Sequence, residues 1–114
     1  MKRLLMVNLH EIEFLEETLR ILARAHVTDC VVQEAESVVS HHTGDTLEPS
    51  VMASIAGLFK QERNINYLIH AILDEDCCAW VAERLRALYK EDRYACSFWF
   101  VPIEQYWYHK NPAE

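Results

Sequence analysis

The spacing of apolar residues changes period repeatedly along this chain, and each change marks an element. The segment "RLLMVNL" (3–9) is an apolar run containing a single polar Asn8, which predicts a strand buried on both faces or nearly so. From Glu11 the period becomes helical. Ile12, Leu15, Leu19 and Leu22 form one row, and Phe14, Thr18, Ile21 and Ala25 form another beside it. Glu11, Glu13, Glu16 and Glu17 come early and Arg20 and Arg24 late, an order that complements a helix dipole. In "VTDCVVQEAESVV" (27–39) β-branched residues dominate, and Val32, Glu34, Glu36 and Val38 alternate against Val31, Gln33, Ala35 and Ser37. A strand is predicted, polar on one face of its second half.

A loop, "VVSHHTGDTLEPS" (38–50), follows, and then "SVMASIAGLFKQ" (50–61), where Val51, Ile55 and Leu58 or Phe59 share a short helical face behind the cap residue Ser50. "INYLIHAIL" (65–73) alternates again as a strand, and "DED" supplies capping acids to a helix over 77–91. The stripe of that helix is Cys78, Val81, Leu85, Leu88 and Tyr89. "YACSFWFVPI" (94–103) predicts a last strand, aromatic on one face through Tyr94, Phe98 and Phe100. Tyr106, Trp107 and Tyr108 leave the tail too apolar to float freely, so packing on its own chain or a neighbour is expected.

The order β-α-β, loop and short helix, β-α-β predicts an α+β fold, a ferredoxin-like βαββαβ sandwich. Four antiparallel strands would carry the two main helices on one face. Strands 1, 3 and 4 are apolar on both sides, so the other face would expose bulky apolar groups. Such a patch marks an interface, and oligomerisation is the expectation.

Composition narrows the classes. With 114 residues the chain closes one core, so residues 1–114 are read as a single domain. The formal charge is −7, with 11 Lys+Arg against 18 Asp+Glu and no local basic patch. Nucleic acid is therefore excluded as a partner. The apolar run at the start ends at Leu9 with no small-residue cleavage site, and nothing approaches the roughly 18 to 20 apolar residues of a membrane span. A cytoplasmic protein without membrane insertion is expected. Cys30, Cys77, Cys78 and Cys96 form no CxxC pair and read as free, buried thiols.

Candidate chemistry is sparse. Two imidazoles and a carboxylate, His41, His42 and Asp45, could bind zinc, nickel or copper if Gly44 lets the loop turn them together; a polar surface loop is the simpler reading. His70, among apolar neighbours, reads as a satisfied core or interface histidine. His10 and His26 flank the first helix, and His26 suits its C-terminal dipole. Cys77 and Cys78 at a helix start lack an adjacent base and read as packing. Phe98, Trp99 and Phe100 read as core and subunit contact rather than as a platform for bases. Glu34 and Glu36, two apart, read as solvated charges or an edge ion pair. No GxSxG, HExxH or Walker sequence is present, so an enzyme is not expected.

The runs "KRLLMVNLHEIEFLEETLRILARAHVTDCVV", "SIAGLF", "INYLIHAILDEDCCAWVAERLRALYKE" and "FWFVPIEQYW" together resemble the PII-like superfamily of trimeric ferredoxin-like signalling proteins. The resemblance covers nearly the whole chain and rests on element order and apolar pattern. The CutA-type copper-tolerance family, which shares that fold, is the nearest rival. The resemblance implies a homotrimer with its sheets facing inward and small-molecule sites in clefts between subunits. It implies further that the loop between strands 2 and 3 (38–50) reports ligand state to a protein partner. Carried onto this chain, it points to Ser37, Ser40, Thr43, Gly44, Lys90 and Arg93 as ligand-binding residues, with an adenine nucleotide as ligand. The CutA-type alternative points instead to a divalent metal on His41, His42 and Asp45. The departures are that "KEDRYACS" has no glycine, Asp45 and Glu48 bring negative charge to the loop, and the loop is shorter than a PII signalling loop. A third reading is a structural subunit that docks through residues 106–109.

Overall fold

The computed structural model describes residues 1–37, 65–90 and 96–109. Strands β1 (Lys2–Leu9), β2 (Asp29–Glu36), β3 (Ile65–Asp74) and β4 (Ser97–Pro102) form one sheet in the order β2-β3-β1-β4. All three pairings are antiparallel. Helices α1 (Leu15–Arg24) and α2 (Glu75–Tyr89) complete a ferredoxin-like α+β fold. The expected short helix at 50–61 lies outside the described residues.

Register decides which side chains enter the core, because directly paired residues share a face. Leu5 pairs with Ala71 and Phe100, and Val7 with Ile69 and Phe98. These residues, with Leu9 and Leu73, meet Leu22 and Ala25 of the α1 region and Val81, Leu85 and Tyr89 of α2 in a single core. Both helices therefore cover the same face. Tyr89 is the hinge of an aromatic group, edge-on to Phe14 and to Phe98 with ring centroids 6.2 Å apart in each case. Its hydroxyl shares a 2.6 Å hydrogen bond with Thr18. Thr18 is fully buried, and its hydroxyl also lies 2.7 Å from the Phe14 carbonyl.

Two local expectations are corrected. The helix expected from Glu11 opens as a 3-10 turn over Ile12–Phe14, and α1 starts only at Leu15. With about three residues per turn instead of 3.6, that turn rotates Ile12 out of the apolar face, leaving it 60% exposed. Asp74 occupies the N-cap of α2 but makes no side-chain capping bond. Its carboxylate pairs with Lys2 at 2.9 Å instead, while Arg3 reaches Glu75 at 2.6 Å. The Glu75 amide donates to the Met1 carbonyl, so the start of α2 is fastened to the start of β1. Within α1, Arg20 pairs with both Glu16 and Glu17.

Candidate functional site

The second face of the sheet is the largest feature that the core leaves unused. By register, Val31, His70, Met6 and Trp99 form a row across all four strands. The next row is Asp29, Ile72, Leu4 and Val101, and on the other side lie Gln33, Leu68, Asn8 and Ser97. Its charged members are Asp29 and the paired Lys2 and Asp74, all near one end. Among the described residues no helix covers this face, and Val31, Trp99 and Val101 are 54%, 46% and 40% exposed. It is apolar in the middle and polar at both ends.

At the end where the chain leaves β2, the side chains turn polar and covered. Asn66 is buried and donates from Nδ2 to Oδ1 of Asn8 at 2.8 Å. Ser37, the first residue past β2, is buried on the same side as Ala35 and Asn66. Near the centre, Nε2 of His70 is buried and, among the described residues, meets no hydrogen-bonding group. The sequence reads it as a satisfied core or interface histidine; within the single chain its strand neighbours Val31 and Met6 offer Nε2 nothing to bond.

Strand β2 is bare in a further sense. Among the described residues it is an edge strand, and Val32 on its helix side is 41% exposed. Glu34 and Glu36 share that side with Val32, at the same end as Tyr67 and Ile65. The other edge is β4, beyond which the chain runs as irregular backbone with Trp107 79% and Tyr108 64% exposed.

Of the ligand residues that the resemblance singles out, the described part contains Ser37, directly after β2, and Lys90, exposed at the C-cap of α2. Ser40, Thr43, Gly44 and Arg93 lie outside it, as do His41, His42 and Asp45. Among the described residues no three His, Cys, Asp or Glu side chains converge as a metal site would require.

The four cysteines are free but not buried as expected: Cys30 is exposed and the others are half-buried. Cys30 sits on an open edge, yet its thiol is covered enough that burial, with Asp29 beside it, raises its pKa. Burial likewise pushes the Cys78 thiol up, against the lowering influence of Arg3. The Cys78 thiol donates to the Asp74 carbonyl at 3.6 Å. Neither is an activated thiolate. No helix among the described residues is long and apolar enough to cross a membrane.

No family model matches the chain, and no curated protein does. Solved structures do match it. The crystal structure of a DUF3240 family protein from Shewanella baltica OS155 superposes with a TM-score of 0.62, over 95% of this chain and 97% of that one, at 11% identity. The two chains share a fold.

Proposed function

We propose that this chain is a cytoplasmic, non-enzymatic regulatory protein of the PII-like kind that assembles as a homotrimer through its open sheet face. In this reading a small molecule bound at the subunit clefts orders the 38–50 loop and changes which protein that loop docks on. The observation that carries the reading is the row of Val31, His70, Met6 and Trp99, which no helix among the described residues covers. Its chemistry calls for an apolar partner, and the chain itself offers one. The ligand part rests on the resemblance, with Ser37 at the loop root and Lys90 beyond α2 as the described residues it assigns.

Sedimentation and light scattering at micromolar concentration test the assembly. The wild type is expected to run as a trimer. Trp99→Lys, which puts a charge in the middle of the face, is expected to run as a folded monomer, its far-ultraviolet dichroism unchanged. A monomeric wild type would overturn the reading. A thermal-shift series with ATP, ADP, AMP, cyclic AMP, Zn²⁺, Ni²⁺ and Cu²⁺ tests the ligand: at 100 times its dissociation constant a ligand adds about 2.7 kcal/mol. A nucleotide response supports the sensor, and a metal response transfers the site to His41, His42 and Asp45. If none of these ligands shifts the midpoint, the structural-subunit reading takes over, which the exposed Trp107 and Tyr108 favour.

A further inference from the structure

Two features of this chain are incomplete alone and complementary to each other. The first is the outer edge of β2. Its 8 residues stay in unbroken antiparallel register with β3, and among the described residues no strand lies on its other side. The strand holds no proline or lysine and its register contains no bulge, the devices that ordinarily blunt such an edge. Every residue from Asp29 to Glu34 is exposed, so its outward backbone groups are open to an added strand. Its charges, Asp29, Glu34 and Glu36, are all negative.

The second is the arm beyond β4. The Ile103 amide donates to the Lys2 carbonyl, and residues 104–109 then run as irregular backbone. Trp107 and Tyr108 are adjacent and both largely exposed, so both sides of the arm are open there. Aromatic residues suit a strand at a half-covered sheet surface. The arm has Glu104 at its root and bases at its end: His109 is exposed, and Lys110 follows it in sequence.

We infer that the arm of one copy adds as a strand to the β2 edge of a neighbouring copy, its aromatic residues along the valines and its basic end toward Glu34 and Glu36. The arm's own edge is out of reach. β4 and β2 are opposite edges of the sheet, so the outer side of β2 lies four strand spacings from β4, about 19 Å. Residues 103–109 span at most about 25 Å when fully extended. Crossing to that edge would use nearly all of them and leave none to lie along it. A neighbour sets no such limit. Charge selects this occupant, because an edge with only acids favours a segment that ends in bases. The inference rests on the self-association of the proposed reading, but not on the open face, since Val32 and Glu34 pair with Ile69 and Tyr67 on the helix side. Each copy contributes one arm and one edge, a head-to-tail contact that can close into a ring.

The test is a double-mutant cycle on the association constant, measured by sedimentation of the full chain across a dilution series, with dichroism to check the fold. The arm variant is Trp107→Ala with Tyr108→Ala. The edge variant is Val32→Lys with Glu34→Lys, both at exposed positions, and Glu34→Lys alone serves if the pair does not keep the wild-type dichroism. Each variant is expected to weaken association at least tenfold. Combined, they are expected to weaken it no further than the more damaging of the two, because arm and edge meet each other. Effects that multiply in the combined protein would place arm and edge in separate contacts and overturn the inference. A wild type that assembles while either variant matches it would overturn this contact and leave the assembly standing. A monomeric wild type would overturn the assembly reading, and this contact with it.

Discussion

His26 has φ of 53°, in the left-handed region that a side chain other than glycine enters at a cost. It does so to end α1. The His26 amide donates to the Ala23 carbonyl, and the Ala25 amide to Ile21 and Leu22, the arrangement by which helices commonly stop. The histidine therefore terminates the helix through its backbone, beyond the dipole role that its position suggests in sequence. Because the imidazole is exposed, its loss removes little packing. His26→Gly is expected to stabilise the fold by about 0.5–1 kcal/mol, the relief of strain less the added freedom of the unfolded chain. His26→Val, a β-branched residue in the same conformation, is expected to destabilise by about 1 kcal/mol or more. Urea unfolding of the three proteins checks both signs.

At the scale of elements, the junction of β1 with α2 depends on two ion pairs whose carboxylates titrate low. Hydrogen bonding and charge from Lys2 hold Asp74 below the usual carboxylate range, and Arg3 does the same for Glu75. A depressed carboxylate contributes stability above its unfolded value, and the contribution is lost as pH falls through its folded value. Asp74→Asn and Glu75→Gln are therefore expected to melt below wild type at neutral pH. Their deficit should shrink once the pH falls under about 4, the unfolded range, and added salt should reduce it at neutral pH. A deficit equally large at pH 3 would mean that packing, not charge, fastens the junction. The same junction shows what was legible in the sequence. The strands and both main helices were, because their periods differ and their faces are wide. The partner of Asp74 was not, because an acid before a helix suits a cap as well as a lysine that register brings alongside. Trp99 and Phe98 stood in one aromatic run, and only alternation within the paired strand sends Phe98 to the core and Trp99 to the open face. That the two main helices would cover one face was legible, since their apolar stripes and the core-side residues of the strands belong to one set, and among the described residues no helix lies on the other face. That His70 lacks a hydrogen-bonding neighbour was not, because Val31 and Met6 flank it only in the folded register.

For the whole molecule, the question is what the chain beyond β4 does. It is tied back at Ile103, whose amide donates to the Lys2 carbonyl, and it then carries Trp107 and Tyr108 into solvent at 79% and 64% exposure. Side chains that exposed contribute little to the stability of a single chain, so Trp107→Ala with Tyr108→Ala should change the unfolding free energy of the monomeric Trp99→Lys variant by under about 0.5 kcal/mol. In the assembly proposed above, the same residues are expected to have a larger effect. The projected open face supplies about half of a typical interface, and aromatic side chains are the groups that most often dominate such contacts. The double alanine variant in the wild-type background is therefore expected to weaken self-association at least tenfold, equivalent to about 1.4 kcal/mol. Sedimentation across a dilution series measures it. An unchanged association constant would show that the bare edge of β2 makes up the missing area without the tail, and would leave the two aromatic residues free to meet a different protein.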